Sequence, residues 1–137
     1  MSPIRCVSHV CYVVGDIERS IAFYRDALGL RVAFDFCKPG AARHGVYLHA
    51  GERTFIELFA GEPATVRQDA SFRHVCLEVD DIEAMLQALK QHGVEVSEPK
   101  MGEDNSLQAW LKDPDGNAIE LHQFGPDSRQ TRALAEV

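Results

Sequence analysis

The sequence predicts an α+β fold: two βαβββ modules in tandem, forming a curved mixed sheet around a cavity. Three observations carry this prediction. An alternating apolar stretch that opens on histidine and runs into Asp-Ile-Glu occurs twice, from His9 to Glu18 and from His74 to Glu83. An Ile-Glu-Leu triplet follows each copy at nearly the same offset, as Ile56-Glu57-Leu58 and Ile119-Glu120-Leu121. Strand-like alternation also gives way to a helical stripe and then returns, in the same order in both halves. Two copies of about 60 residues are too few for a solenoid. Two open four-stranded sheets, each with a helix on one face, suit them better. The expected organisation is one domain over 1–137, with modules at about 4–60 and 72–124 and a tail at 125–137.

In the first half, Cys6 to Val14 reads as a strand with His9, Cys11 and Val13 on one face. Asp16 is placed as an N-cap. Ile17, Ile21, Tyr24 and Leu28 then form one apolar stripe of a helix of about three turns. Gly29 stands where a left-handed residue would end it. Leu30 to Phe36 is the next strand, and Lys38-Pro39-Gly40 breaks the chain. Arg43 to Ala50 alternates again, with Val46 and Leu48 on one face and Tyr47 and His49 on the other. Ala50 to Arg53 is a hairpin turn, and Thr54 to Ala60 is the strand that carries Glu57.

Gly61 to Ser71 is polar, contains Pro63 and reads as a connector. His74 to Val79 opens the second half. Asp80 or Asp81 caps a helix with apolar positions Ile82, Met85, Leu86 and Leu89, and Gly93 closes it. Val94 to Val96 is expected as a short strand before Pro99. Ser106 to Lys112 is a further strand. Asp113-Pro114-Asp115-Gly116 is a turn in which proline pre-sets the corner and glycine takes the positive φ. Asn117 to Phe124 is the last strand, carrying Glu120. The tail has helix propensity without a periodic pattern.

Bulk properties narrow the function. The chain has 137 residues, 45% hydrophobic and 26% charged, as an ordinary globular protein does. With 21 acidic against 14 basic residues the net charge is −7, which argues against nucleic acid as a partner. No apolar run approaches a membrane span and no basic-then-apolar leader opens the chain, so no membrane partner and a cytoplasmic location are expected. Cys6, Cys11, Cys37 and Cys76 show no CxxC spacing and read as free, buried thiols of a reducing compartment.

The chemistry lies in the repeated histidines and glutamates. A single histidine on a half-apolar strand is more often a hydrogen-bonded core residue than a ligand. Glu57 and Glu120 are harder to assign to structure alone. If their isoleucine and leucine neighbours face the helix, both carboxylates face the other way, and a carboxylate is rarely buried without a partner. Two imidazoles and two carboxylates satisfy one another when a divalent cation lies among them. We therefore expect the cavity to be a metal cavity, with His9, Glu57, His74 and Glu120 as ligands. This donor set suits Ni, Zn, Co, Mn or Fe(II) and leaves positions open for water or substrate. Strand parity adds Phe55 and Phe59 to the face of Glu57, and His122 and Phe124 to that of Glu120. Tyr47, His49, Gln108 and Trp110 complete the expected substrate pocket.

These residues resemble the vicinal oxygen chelate superfamily, which includes glyoxalase I, methylmalonyl-CoA epimerase, extradiol dioxygenases, and fosfomycin and bleomycin resistance proteins. The resemblance spans about residues 4 to 124. It rests on His9, on Asp16-Ile17-Glu18 through Phe23-Tyr24-Arg25-Asp26-Ala27-Leu28-Gly29-Leu30, on Glu57 and His74, and on Asp113-Pro114-Asp115-Gly116-Asn117 leading to Glu120. The complete His, Glu, His, Glu set is most similar to bacterial glyoxalase I. That likeness implies a metal-dependent lyase or isomerase acting on a small carbonyl adduct, such as a 2-oxoaldehyde hemithioacetal, through an enediolate. It implies Glu120 or Glu57 as the catalytic base, and a homodimer. Glyoxalase I has an arginine where this chain has Val13 and an asparagine where it has Gly61, so the thiol carrier is left open. The alternatives are an Fe(II) extradiol-type dioxygenase and a non-catalytic drug-binding module of the bleomycin-resistance kind.

Overall fold

A computed structural model describes residues 3–136 and divides the chain into two compact units, Met1–Val66 and Arg67–Val137. The division falls inside the 61–71 stretch. Val137, the last residue of the expected tail, lies outside the described residues, as do residues 1 and 2.

The first unit runs β1 (His9–Val14), α1 (Ile17–Ala22), β2 (Arg31–Cys37), β3 (Arg43–His49) and β4 (Phe55–Ala60). Its sheet has the order β1-β4-β3-β2, with β1 parallel to β4 and the other pairs antiparallel. The second unit runs β5 (Val75–Glu78), α2 (Ile82–Gln91), β6 (Lys100–Met101), β7 (Ser106–Lys112), β8 (Ala118–Phe124) and α3 (Arg129–Leu134). Its order, β5-β8-β7-β6, repeats the first, again with only the β5–β8 pair parallel. The architecture is thus α+β, two four-stranded mixed sheets of βαβββ connectivity.

Each sheet buries one face under its helix. In the first unit Val14, Val46, Leu48, Ile56 and Leu58 meet Ile21 and Tyr24, all essentially inaccessible. In the second, Ala109, Leu111, Ile119 and Leu121 meet Ile82, Leu86 and Leu89. Fully burying such side chains contributes about 1.5–3 kcal/mol each. The opposite face of each sheet carries the remaining alternate residues, including all the expected ligands.

The repeated Asp-Ile-Glu does the same work twice. Asp16 and Asp81 are extended N-caps whose Oδ1 accepts from the amide N–H of Arg19 at 3.0 Å and of Ala84 at 2.9 Å. Of the two cap candidates in the second half, Asp81 is therefore the cap. Gly29 and Gly93 follow their helices at φ 76° and 74°, the left-handed conformation that glycine adopts without strain.

Several expectations need correction. The first helix is α-helical only through Ala22. Phe23–Ala27 is a π-helical turn closed by Leu28 N–H to the Phe23 carbonyl at 3.1 Å. The extra residue per turn still brings Tyr24 and Leu28 to the core, so the apolar stripe survives the change of helix type. The strand expected at Val94 to Val96 is reduced to one bridge, Val96 to Leu111. Pro99 has no N–H to continue the ladder, and pairing resumes at Lys100 in β6. The first strand begins at His9 rather than Cys6. The tail forms α3, capped by the Ser128 hydroxyl on Thr131 N–H at 3.1 Å. Gln130 ties it to Asp104 and to the Ser106 hydroxyl. The four cysteines are free, as expected, but exposed rather than buried: Cys11 and Cys76 stand on the sheet face opposite the helix, Cys37 ends β2 and Cys6 precedes β1.

Candidate metal centre

The first histidine–glutamate pair is built from register. In the parallel pair β1–β4, Cys11 stands opposite Glu57, and His9 opposite Phe55. His9 Nε2 lies 3.5 Å from Glu57 Oε2. Across β3, Tyr47 is the direct partner of Glu57. The Tyr47 hydroxyl and the Cys11 thiol both hydrogen-bond to that carboxylate. Partial burial and the Glu57 charge push the Cys11 thiol up to about 11 and raise the Tyr47 phenol, so both remain donors at neutral pH.

The second pair repeats the plan. His74 immediately precedes β5, Cys76 is opposite Glu120, and Trp110 of β7 is the cross-strand partner of Glu120. His74 Nε2 lies 3.1 Å from Glu120 Oε2. The other oxygen, Oε1, is 3.0 Å from His122 Nε2. Burial, then the Glu120 charge, pushes the Cys76 thiol up to about 12. In both units an aromatic ring packs on the leading histidine. Tyr47 sits at 5.5 Å from His9, and Trp110 edge-on at 4.9 Å from His74.

These pairs fit a divalent cation. Two donors each held about 2.1 Å from one ion stand about 3.0 Å apart at a right angle and about 3.4 Å at the tetrahedral angle. Of the observed separations, 3.1 Å lies within that range and 3.5 Å just above it, and the facing atoms are an imidazole nitrogen and a carboxylate oxygen in both cases. The ligand atoms of Cys76, Glu120 and His122 also lie within 4.8 Å of one another, so unit two concentrates more donors than unit one.

The remaining pocket candidates fall on these same faces. Phe55 and His49 are cross-strand partners, as are His122 and Gln108, and Phe124 packs edge-on against His122 at 5.8 Å. His49 is turned to the β3–β4 turn, where Nε2 meets the Glu52 carbonyl at 3.0 Å. Phe59 stacks on Phe36 at 5.4 Å, and Phe34 on Tyr47 at 4.6 Å. Phe34 and Phe36 were absent from the sequence-based pocket. Register shifts at Val32/Phe34 and Phe36/Cys37 break the parity that would have shown them. Gly45 makes this aromatic wall possible, since a Cβ there would stand 2.7 Å from the Phe59 ring.

A duplicated α+β unit with a histidine–glutamate pair on each open sheet face defines a narrow class of proteins. The chain belongs to the glyoxalase/bleomycin resistance protein/dioxygenase superfamily, whose sequence model matches residues 7–121. It is 31% identical over 125 residues to a putative lactoylglutathione lyase of Brassica oleracea var. gemmifera, covering 86% of this chain and 44% of that one. It thus spans less than half the length of the plant relatives it matches. It is also 31% identical to the mitochondrial methylmalonyl-CoA epimerase of Mus musculus, over 85% of this chain and 72% of that one. Among solved structures, an antibiotic binding protein, TnmS3, from Streptomyces sp. CB03234 superposes with a TM-score of 0.74. It is 28% identical, and the match covers 91% of this chain and all of that one. Kinship with glyoxalase-type lyases therefore holds at the level of the family. No helix among the described residues is long and apolar enough to cross a membrane.

Proposed function

We propose that this protein is a divalent-metal lyase or isomerase of glyoxalase type, which moves a proton between adjacent carbons of a small carbonyl adduct through an enediolate. In this reading the two units act as one domain, and His9, Glu57, His74 and Glu120 are the ligands of one Ni, Zn, Co or Mn ion. The observation that carries it is the duplicated pairing of an imidazole nitrogen with a carboxylate oxygen at 3.5 and 3.1 Å. The bound cation would act as a Lewis acid, taking up charge that develops on the substrate oxygens. Glu57 or Glu120 accepts the C–H proton and returns it to the neighbouring carbon. The Tyr47 hydroxyl and Cys11 thiol donate to Glu57 and keep its carboxylate on the open face. The aromatic side chains of Tyr47 and Phe55 flank Glu57 and would give the reacting carbons an apolar wall.

The thiol carrier of the adduct is read from two neighbouring positions. A Cβ on Gly61 would stand 2.8 Å from Val13 Cγ1, so both departures from the glyoxalase I pattern meet at one end of β1 and β4. Neither position carries the arginine or asparagine side chain that glyoxalase I has there, which favours a carrier other than glutathione. Four free thiols fit a reducing, cytoplasmic setting, and a homodimer is the assembly this reading carries.

The test is elemental analysis of the purified protein, removal of the metal, and reconstitution with each cation. Turnover of methylglyoxal with a panel of thiols is then followed by ultraviolet absorbance, and the molecular mass by light scattering. Thioester formation restored by Ni, Zn, Co or Mn supports the proposal. Iron with oxygen uptake would sink it in favour of ring cleavage. A second reading, a drug-binding module, draws on the likeness to TnmS3 and on the aromatic wall of unit one. It would be supported by tight binding of planar aromatic drugs that is indifferent to metal removal.

A further inference from the structure

We propose that His122 is a positioning residue for the carboxylate of Glu120, fixing one oxygen so that the other is presented as a metal ligand. The inference rests on the reading of Glu120 as a ligand, and goes beyond it by assigning a role to a histidine outside the duplicated set.

Glu120 is 7% exposed and His122 9%, so neither polar group is satisfied by bulk solvent. A carboxylate oxygen accepts, so in the tautomer that carries the proton on Nε2 the 3.0 Å contact between His122 Nε2 and Oε1 is a hydrogen bond donated by the imidazole. The 3.1 Å contact between Oε2 and His74 Nε2 is of a different kind. When His74 Nε2 serves a cation it carries no hydrogen and no longer donates to Oε2. The bond from His122 survives in both states. It holds the carboxylate plane, and it leaves Oε2 facing the cation in place of a two-oxygen grip.

The duplication supplies an internal comparison. Two residues beyond Glu120 is His122, whereas two residues beyond Glu57 is Phe59. A cysteine thiol bonds each carboxylate, Cys11 to Glu57 and Cys76 to Glu120, but the further partner is the Tyr47 hydroxyl for Glu57 and His122 for Glu120, and the distance from Glu57 to His9 is the longer one, 3.5 Å. The two carboxylates are equivalent by descent but not by support. The His122 ring is itself fixed, with Phe124 edge-on at 5.8 Å and Gln108 across the strand. A histidine so placed is a second layer behind a ligand, and loss of such a partner typically weakens metal binding about 10–100-fold.

The test measures Co(II) affinity of the full chain by chelator competition, together with the visible absorption spectrum of the Co(II) form and circular dichroism of the apo form. His122→Phe should weaken Co(II) about 10–100-fold and change the spectrum. His122→Gln, whose amide N–H reaches as far as Nε2, should stay within about threefold of wild type, because an amide replaces the donor but is a poor ligand. Wild-type affinity in a folded His122→Phe protein would overturn the proposal. So would equal loss in His122→Gln and His122→Phe, which would make His122 a ligand in its own right. Should His122→Phe fail to fold, His122→Asn takes its place: its amide is too short to reach Oε1, so affinity should fall relative to His122→Gln, and equality of the two overturns the proposal. Failure of the wild-type protein to bind Co(II) would instead overturn the metal reading on which the inference stands.

Discussion

Glu57 and Glu120 each sit between an isoleucine and a leucine that are buried on the helix side, so strand alternation sends both carboxylates to the other face. As ligands, and with one of them serving as base, neither tolerates loss of charge. Glu57→Gln and Glu120→Gln should each lower turnover by at least about 10²-fold. Steady-state kinetics on the reconstituted protein checks this, and full turnover in either variant would contradict the assignment. The thiols beside them give a second prediction at this scale. A raised pKa means less thiolate at any pH below it, so the neutral form of Cys11 persists to about 11 and that of Cys76 to about 12. A two-unit rise cuts the thiolate about 100-fold but makes each thiolate about tenfold more nucleophilic, leaving a net slowing of about tenfold. In the metal-free protein at pH 8, Cys11 should therefore react with a disulfide reagent about tenfold more slowly than Cys6 and Cys37, and Cys76, whose rise is three units, about 30-fold more slowly. Peptide mapping after timed labelling would show it, and uniform rates at all four would refute it.

At the scale of the element, the two helices begin in the same way and should fail in the same way. Asp16→Ala and Asp81→Ala each remove the acceptor for an orphan amide and should cost about 1 kcal/mol in urea denaturation. Asp80→Ala, one residue too early to cap, should cost much less. Equal losses at Asp80 and Asp81 would contradict the cap geometry. On β3, Gly45→Ala introduces a Cβ at 2.7 Å from the Phe59 ring and 2.9 Å from that of Phe36. The rings must move apart, at about 1–3 kcal/mol, and the Phe36–Phe59 stack should be lost. The same denaturation series measures the cost, and an unchanged midpoint would show that the wall yields freely. Of these devices, the Asp16 cap, Gly29, Gly93 and the Asp113 turn were legible from sequence because each acts over two to five residues, whereas the choice of Asp81 over Asp80 needed the structure. The aromatic wall was not, because the irregular register of β2 hides which way Phe34 and Phe36 face.

At the scale of the molecule, the proposed site requires one ion per chain. Equilibrium dialysis with elemental analysis should give a stoichiometry of one, and two ions per chain would mean that each histidine–glutamate pair binds by itself. Free metal at about 100 times its Kd should stabilise the fold by about 2.7 kcal/mol, raising Tm by about 10 °C, with the shift lost in Glu120→Gln. The sequence by itself determined the α+β class, the duplication, the cap of the first helix, the Asp80-Asp81 pair that holds the cap of the second, and the face on which His9, Glu57, His74 and Glu120 lie. Repeats, caps and alternation are local patterns, and the backbone geometry of strand and helix converts them directly into faces. Only the tertiary structure decided that Tyr47 and Trp110 stand opposite the two glutamates, that Pro99 displaces β6, that Gln130 ties the tail to Asp104, and that the cysteines are exposed. It alone showed His122 bonded to Glu120 while Phe59 takes the matching place in the first repeat. Those facts depend on cross-strand register and on which faces remain uncovered, and both are set by residues far apart in the chain.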